Sequence, residues 1–336
     1  MHNSSVRITK PIFIVGMNGS GTTMLADCLN HHPYIYIHKL ESRVIPFFSR
    51  NISEYGDLLV YDNFKKLLED FSNIHAFRLL NDNKSLDIPF DFEHLNKKDL
   101  AQVISLTFSY FASKEKKSIW GDHSPKYAFF IPLLIDLFPH AKIIHIMRDG
   151  RDCAQSFNRR FGQNIYRSIF LWKKLLKKAR EDGQAAGKEI YFELKYEDLT
   201  EYPELHMRKI CSFLEVPFDN RVLVSNMPMY TARDPRKAAH QVKTIVPNAG
   251  KWRTAFTKHQ IKKLEAIAGA ALGDLEYEVV FSAGNRDIAG LKLFFWKWSD
   301  RINASIAFHK MYTGRDKIST FLRRVKTSFM QDKVYK

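Results

Sequence analysis

The sequence predicts an α/β fold of three layers: a central parallel sheet covered on both faces by helices, with a mainly helical insert. Three observations lead there. Ile12-Phe13-Ile14-Val15 is a short unbroken apolar run between Pro11 and Gly16, the pattern of a strand buried on both faces. A glycine-rich turn and a helical stretch follow it directly. Further apolar runs then alternate with segments of helical periodicity, and that alternation implies parallel pairing through helical crossovers.

The elements follow in order. Thr22–Asn30 reads as a helix that stops near Pro33. Residues 50–118 form a mixed, mostly helical insert, with apolar positions at three- and four-residue spacing over Phe64–Phe71 and Lys98–Phe111. Tyr127–Leu137 is expected as one helix ending at Pro139, and Lys142–Met147 as the second strand, with a helix over Asp152–Phe161 after its turn. Ile165–Arg180 places Ile165, Ile169, Trp172, Leu176 and Ala179 on one face and Lys173, Lys174, Lys177 and Lys178 elsewhere. Ile190–Leu194 is the third strand and Glu204–Leu214 another helix; there is no internal repeat.

Composition narrows the class. The 336 residues are 45% hydrophobic and 26% charged, which excludes disorder and low complexity for the bulk of the chain. The abnormal number is the net charge of +16, which calls for an anionic partner: nucleic acid, a membrane surface or a phosphorylated small molecule. Half of it lies in residues 286–336, where 12 Lys and Arg face 4 Asp, a net of +8. Cys28, Cys153 and Cys211 have no CxxC spacing, which argues against a disulfide framework and a structural zinc site. Met1–Lys10 lacks the apolar stretch of a signal peptide, and the longest apolar run, Tyr127–Phe138, contains Pro132 and Asp136. A cytoplasmic, reducing setting without a membrane-spanning helix is the expectation.

Gly16-Met17-Asn18-Gly19-Ser20-Gly21-Thr22-Thr23 joins the first strand to its helix. Glycines let backbone amides approach an anion, the helix start adds its positive dipole end, and Thr22 and Thr23 add hydroxyls. The spacing G-x-x-x-x-G matches a P-loop, but Thr22 follows where nucleotide triphosphatases place Lys, which counts against Mg-ATP chemistry. Arg148 at the end of the second strand and Ser156 eight residues on would open onto the same carboxyl edge of the sheet, suited to a second phosphate. The competing reading pairs Arg148 with Asp149 or Asp152 on the surface.

These stretches resemble the sulfotransferases that use 3′-phosphoadenylyl sulfate. The resemblance rests on Ile14-Val15-Gly16, Ser20-Gly21-Thr22-Thr23-Met24-Leu25 and Met147-Arg148-Asp149-Gly150-Arg151-Asp152 with Ser156. Trp120-Gly121-Asp122-His123-Ser124-Pro125, Lys195-Tyr196-Glu197-Asp198-Leu199 and Gly250-Lys251-Trp252-Arg253 agree with it, so it runs from about Pro11 to Tyr277. It implies a P-loop-type fold in which Gly19, Ser20, Gly21, Thr22 and Thr23 cradle the 5′-phosphosulfate. Arg148 and Ser156 would hold the 3′-phosphate, Tyr196 would lie near the adenine, and Lys251 would close over the phosphate side. No metal is expected. The insert would supply walls for the acceptor.

Sulfuryl transfer to a hydroxyl needs a base, in-line geometry and positive charge near the leaving oxygen. Glu41 is the first candidate base, because Glu41-Ser42-Arg43-Val44-Ile45-Pro46 resembles the stretch carrying the catalytic Glu of tyrosylprotein sulfotransferases. A solvated Glu41 paired with Arg43 or Lys39 is the plainer reading. His123 is the second candidate, placed before Ser124-Pro125 where cytosolic sulfotransferases carry a His base; a buried structural histidine is its plainer reading. One departure stands out: the family places Lys or Arg just before the Ser-Gly of the loop, and here that position is Gly19. Lys39, Lys126 and Lys251 are the candidates to supply the missing charge.

The expected organisation is a catalytic domain over 8–285, with its insert at about 50–118, and a basic, aromatic-rich helical extension over 286–336. In that extension Phe294, Phe295, Trp296 and Trp298 mix with Lys292 and Lys297, and Ile318, Phe321, Leu322, Val325 and Phe329 follow helical spacing. Such a segment either packs on the catalytic domain with a solvated basic face or lies on an anionic membrane. No nucleic-acid motif accompanies the charge, so nucleic acid is not expected as a partner. The expected function is sulfuryl transfer to a hydroxyl acceptor: carbohydrate, glycolipid, peptide tyrosine or small alcohol. A P-loop kinase and a catalytically degenerate nucleotide-binding module are the alternatives.

Overall fold

A computed structural model describes residues 10–225 and 245–311. Strand β1 (Ile12–Gly16) leads through the glycine-rich loop to α1 (Thr22–Asn30) and the short β2 (Ile35–Ile37). The insert carries α2 (Ile45–Arg50), α3 (Tyr61–Ser72), α4 (His75–Leu79) and α5 (Leu100–Lys114). Next come β3 (Ile119–Asp122), α6 (Ile131–Leu137), β4 (Lys142–Met147), α7 (Gly150–Phe161), α8 (Ile165–Ala186) and β5 (Tyr191–Lys195). The remaining helices are α9 (Tyr196–Glu201), α10 (Pro203–Phe213), α11 (Trp252–Ala255), α12 (Lys258–Gly273) and α13 (Gly290–Met311).

All five strands are parallel, in the order β2-β3-β1-β4-β5. Side chains alternate across a strand, so the unbroken apolar runs feed two cores. Phe13, Val15, Ile143 and Met147 face one core with α3, α5, α6 and α8; Ile12, Ile14, Ile144 and Ile146 face the other with α1 and α10. That is the three-layer α/β arrangement the sequence predicts. The insert belongs to the first core: Phe71, Phe77, Phe108 and Phe111 pack edge to face or stacked around Tyr36 and His38 above β2.

Three expectations need correction. The sheet has two strands more than the apolar runs announce, because β2 and β3 span only three and four residues, too few for periodicity to register. Tyr127–Leu137 is not one helix: a 3₁₀ turn over Pro125–Phe129 precedes α6. Pro132 lies in the first turn of α6, where a missing N–H is tolerated, so it starts a helix instead of continuing one. Lys173, off the apolar stripe of α8, is nonetheless buried, and its Nζ donates to Asn285 Oδ1 at 2.9 Å and to the Arg286 carbonyl at 3.0 Å. Helix α8 also runs six residues past its expected end, to Ala186.

Two histidines are sealed in the first core. His145 on β4 shares a 2.5 Å hydrogen bond between Nδ1 and the Tyr191 hydroxyl, and burial holds its pKa down at about 3. Burial likewise holds His38 at about 3, with His123 adding to the shift. Between their ordinary value of 6.5 and about 3, the unfolded chain binds protons that the folded chain refuses, so stability rises with pH across that window and falls as pH drops through it. Each histidine contributes at most about 1.4 kcal/mol per pH unit. Thermal melts from pH 7 to pH 4 should show a falling Tm, with a shallower slope in His145→Gln; parallel slopes would assign the acid sensitivity elsewhere.

Candidate functional site

Because every strand points the same way, five strand-to-helix loops open on one edge of the sheet, the edge where ligands of open α/β sheets bind. Gly19–Thr23 follow β1, Glu41 follows β2, His123 follows β3, Arg148 follows β4, and Tyr196 follows β5. Ser156 comes from α7, and Lys251 immediately precedes α11. The fold thus gathers every sequence-predicted site residue on one side of the sheet.

The loop after β1 is held open for an anion. Gly19 and Gly21 have φ of 92° and 107°, the left-handed region that favours glycine. A Cβ on Gly21 would fall 2.5 Å from Tyr196 Cδ2, and one on Gly19 would meet the Cys153 carbonyl and Ser156 Cβ at 3.3 Å. Helix α1 begins at Thr22 with no side chain capping its N-terminus. Ser20 Oγ and Arg148 Nε are both buried without a hydrogen-bond partner. Unsatisfied buried polar groups cost about 1–3 kcal/mol each, so two of them at one loop mark a place where a polar ligand completes the structure.

Arg148 reaches across the edge. Its Nη1 donates to the Gly19 carbonyl at 3.0 Å and its Nη2 to the Asn248 carbonyl, while the guanidinium lies 4.4 Å from the centre of the Tyr196 ring. Asp149 does not pair with it; Asp152 approaches at 3.7 Å, inside the protein and not on its surface. Tyr196 is buried between Arg148 and Gly21, so it forms the floor of the loop.

Ser156 has a partner that periodicity could not announce. Arg160, one turn further along α7, donates from Nη2 to Ser156 Oγ at 3.0 Å. Crowding strips water from Arg160, and Arg159 and Arg148 add repulsion, so its pKa is lowered. Lys251 is lowered for the same reasons, loss of hydration first and then Arg159 and Arg148. Arg148 and Arg159 thus act on both Arg160 and Lys251, with Asp152 a partial counter-charge, a positive region that an anion would relieve. Arg159 and Arg160 were invisible as site residues, because two arginines near a helix end read as ordinary dipole-complementing charge. Their i+3 and i+4 offset from Ser156 was the available signal.

The segment around Lys251 is strapped to the loop after β4. Asp152 accepts from the Gly250 amide at 2.6 Å and the Trp252 amide at 2.9 Å. Arg151 is wholly buried: its Nε and Nη2 donate to Asp149 at 3.0 and 2.7 Å, and its Nη1 to Glu265 at 2.7 Å. The Arg151 guanidinium also lies 3.6 Å from the centre of the Trp252 ring. Glu197 accepts from the Asp149 amide at 3.2 Å and from the Tyr277 hydroxyl at 2.9 Å, which ties the loop after β5 to the same knot.

On the other side of the edge, Glu41 is about one-fifth exposed and accepts from Arg43 through both Nε and Nη2. Arg43 itself has φ of 60°, a strained conformation for a non-glycine residue, fixed by its amide donating to Ser124 Oγ at 3.1 Å. The neighbouring Ser42 hydroxyl bonds Asp122 and lies 2.9 Å from the Tyr127 hydroxyl, and burial raises the Asp122 pKa against those bonds. His123 is buried with Nδ1 2.8 Å from the His38 carbonyl. A carbonyl only accepts, so the Nδ1 carries the proton and Nε2 is the basic nitrogen of the neutral ring. Of the cations named for the gap at Gly19, Lys39 is turned away to Glu115 at 2.8 Å. The Lys126 pKa is pushed down to about 8, by lost hydration first and then by the charges of Arg43, Arg167 and Lys297.

With this geometry in hand, similarity to known proteins becomes informative. A profile of the Sulfotransferase family matches residues 11–220. The chain is 25% identical over 226 residues to Protein-tyrosine sulfotransferase A of Caenorhabditis elegans, covering 63% of this chain and 51% of that protein. It is 27% identical over 226 residues to Protein-tyrosine sulfotransferase of Drosophila melanogaster, covering 63% and 39%. The chain thus spans about half or less of the length of these relatives. In fold it is similar to the solved sulfotransferase domain from the curacin biosynthetic pathway, with a TM-score of 0.51 at 22% identity over 82% of this chain and 100% of that one.

Two substitutions test how the site is held. Glu265→Gln leaves Arg151 a buried charge short of one counter-charge, and chemical denaturation should show a loss of about 3 kcal/mol or more. Gly21→Ala forces a Cβ into Tyr196 at a positive φ and should cost about 1–2 kcal/mol. Wild-type stability in both variants would contradict this account of the knot and the loop.

Proposed function

The chain belongs to the Sulfotransferase family, and from that premise we propose that it transfers a sulfuryl group from 3′-phosphoadenylyl sulfate to a hydroxyl acceptor. The observation that carries the reading is the pair of buried, partnerless groups at the loop, Ser20 Oγ and Arg148 Nε, beside the cluster of Arg148, Arg159, Arg160 and Lys251. Two phosphate-sized anion sites, one on the loop and one on α7, suit a nucleotide phosphorylated at both ends of its ribose. Bound there, the co-substrate would supply an activated sulfuryl group, whose bond to phosphate oxygen breaks as the bond to acceptor oxygen forms.

The chain's own residues then have distinct tasks. Glu41 accepts the acceptor's hydroxyl proton, with Arg43 orienting its carboxylate until the acceptor takes its place. Arg160 stands in for the loop cation that Gly19 cannot supply, since Ser156, its partner, lies against the position a side chain at 19 would occupy. Tyr196 keeps Arg148 and the loop in register. Among acceptors, the phenol of a peptide tyrosine is favoured by the relatives' stated activity and by the Glu41–Pro46 stretch. A cytoplasmic location is part of the proposal, supported by three free, buried cysteines.

Calorimetry with adenosine 3′,5′-bisphosphate against Mg-ATP tests the ligand: tighter binding of Mg-ATP would favour the kinase alternative. Turnover of labelled sulfuryl donor with tyrosine peptides, sugars and simple alcohols tests the reaction. Glu41→Gln should lower kcat about 10²–10⁴-fold with bisphosphate affinity nearly unchanged, and an unaltered kcat would remove Glu41 as the base. Arg160→Ala should lower kcat by about 10²-fold. A wild-type rate in that variant would return the role to Lys126 or Lys251.

A further inference from the structure

Helix α13 is docked the wrong way round for a helix of a water-soluble protein. Its inward face is polar: buried Asp300 accepts from the Asn164 amide at 2.6 Å and from Arg167 Nη1 at 2.8 Å. Gln163 Nε2 donates to the Asp300 carbonyl at 3.0 Å, and Asn303 Nδ2 to the Gly162 carbonyl at 2.9 Å. Among the described side chains of α13, Leu293 and Trp296 add apolar contact, the latter against Tyr166 with ring centres 6.0 Å apart. The outward face carries Leu291, Phe294, Phe295, Trp298 and Ile302, between 46% and 71% exposed. Their spacing puts them in one stripe along three turns. Four of them line a shallow depression of about 550 Å³ that shares no residue with the phosphate loop.

The charges around the stripe select its occupant. Asp300 is the sole acidic residue in the α13 sequence and is buried against Arg167, while Lys292, Lys297, Arg301 and Lys310 leave the helix positive. A second copy would bring the same cations to the same rim. The chain's own residues 312–336, with seven Lys and Arg against two Asp, are also positive. An anionic lipid surface is complementary to both the stripe and its flanks, and exposed Trp and Phe beside Lys suit the headgroup–acyl boundary. No helix among the described residues is long and apolar enough to cross a membrane, so the contact would be peripheral.

We propose that α13 is an interfacial helix that seats this protein on anionic bilayers, with Phe294, Phe295, Trp298 and Ile302 entering the lipid. Over residues 290–303 the extension packs on the sheet's helical layer, but the face it shows is apolar with basic flanks; Ile318, Phe321, Leu322, Val325 and Phe329 lie outside the described residues.

Flotation of the full chain with phosphatidylcholine vesicles, with and without 30% phosphatidylserine, reads the contact directly and needs no co-substrate. The wild-type chain should float with the anionic vesicles, less so at high salt, and Phe295→Ser/Trp298→Ser should lose at least about tenfold in partition. Unchanged melting and bisphosphate binding would show that the variant is folded. Should it be unstable, brominated-lipid quenching of tryptophan in the wild type against Trp298→Phe gives the same answer, with a quenched fraction lost in the variant. No flotation, equal flotation of both chains, or a dimer that the double substitution disperses would each overturn the proposal. Absence of sulfuryl transfer would leave flotation intact, so the two readings fail separately.

Discussion

Arg151 lies at the centre of the molecule's most demanding interaction. A guanidinium buried to 1% exposure is tolerable only if its donors are met, and here Asp149, Glu265 and the Glu278 carbonyl meet them while Trp252 covers its face. Those partners come from the β4–α7 loop, from α12, from the segment after it and from α11. Glu265 in turn accepts from the amides of Val280 and Phe281 at 3.0 and 2.7 Å. One charged residue therefore fixes the chain more than a hundred residues downstream. Buried ion pairs are poor sources of net stability, but any arrangement that leaves one charge unpaired is heavily penalised. Their value here is a single permitted placement of the loop after β4.

That placement builds the anion site. Asp152 holds the amides on either side of Lys251, Asp149 fixes Glu197, and Arg148 is left pointing at the carbonyl of Gly19. The loop after β1, the stretch after β5 and the segment around Lys251 are consequently tied together, each through the turn from β4 into α7. Helix α7 then carries Ser156, Arg159 and Arg160 along the side of the loop. Gly19 fits this plan physically, since the left-handed backbone and the nearness of Cys153 and Ser156 leave little room for a side chain there. The facing helix α7 carries Arg160 on Ser156 beside it. Arg148 has Asp152 at 3.7 Å as a counter-charge, yet Arg160 and Lys251 still feel the repulsion of Arg148 and Arg159, which a bound anion would relieve.

Some of this was legible in the chain. Helix α1 spans the residues its apolar pattern marks, β1 and β4 lie under their unbroken runs, and the loop between β1 and α1 carries its own chemistry in its glycines. These features depend on neighbours within a few residues, so local sequence determines them. Strands β2 and β3 were hidden because three or four residues carry no period; β3 exists by pairing with β1, and β2 by pairing with β3. The break before α6 was signalled by Pro132 and overridden by an apolar run. Glu41 and His123 could be named from motif resemblance, and Arg43 as a partner of Glu41 from its place two residues on, but the His38 carbonyl required the turn after β2 to lie along residues 122–124.

By itself the sequence determined a parallel α/β sheet, a glycine-rich loop after the first strand, a candidate second anion site at Arg148 and an excess of positive charge, half of it in residues 286–336. Only the tertiary structure decided where that charge acts. Asp149 pairs with Arg151 and not Arg148, Lys39 is spent on Glu115, Lys173 is buried, and Arg160 stands beside the loop. It also decided that α13 turns Asp300 inward and its aromatic residues out. The physical reason is range. Periodicity and turn chemistry are set by residues a few positions apart, whereas the partner of a charge and the buried face of a helix are chosen by desolvation among groups separated by scores of residues.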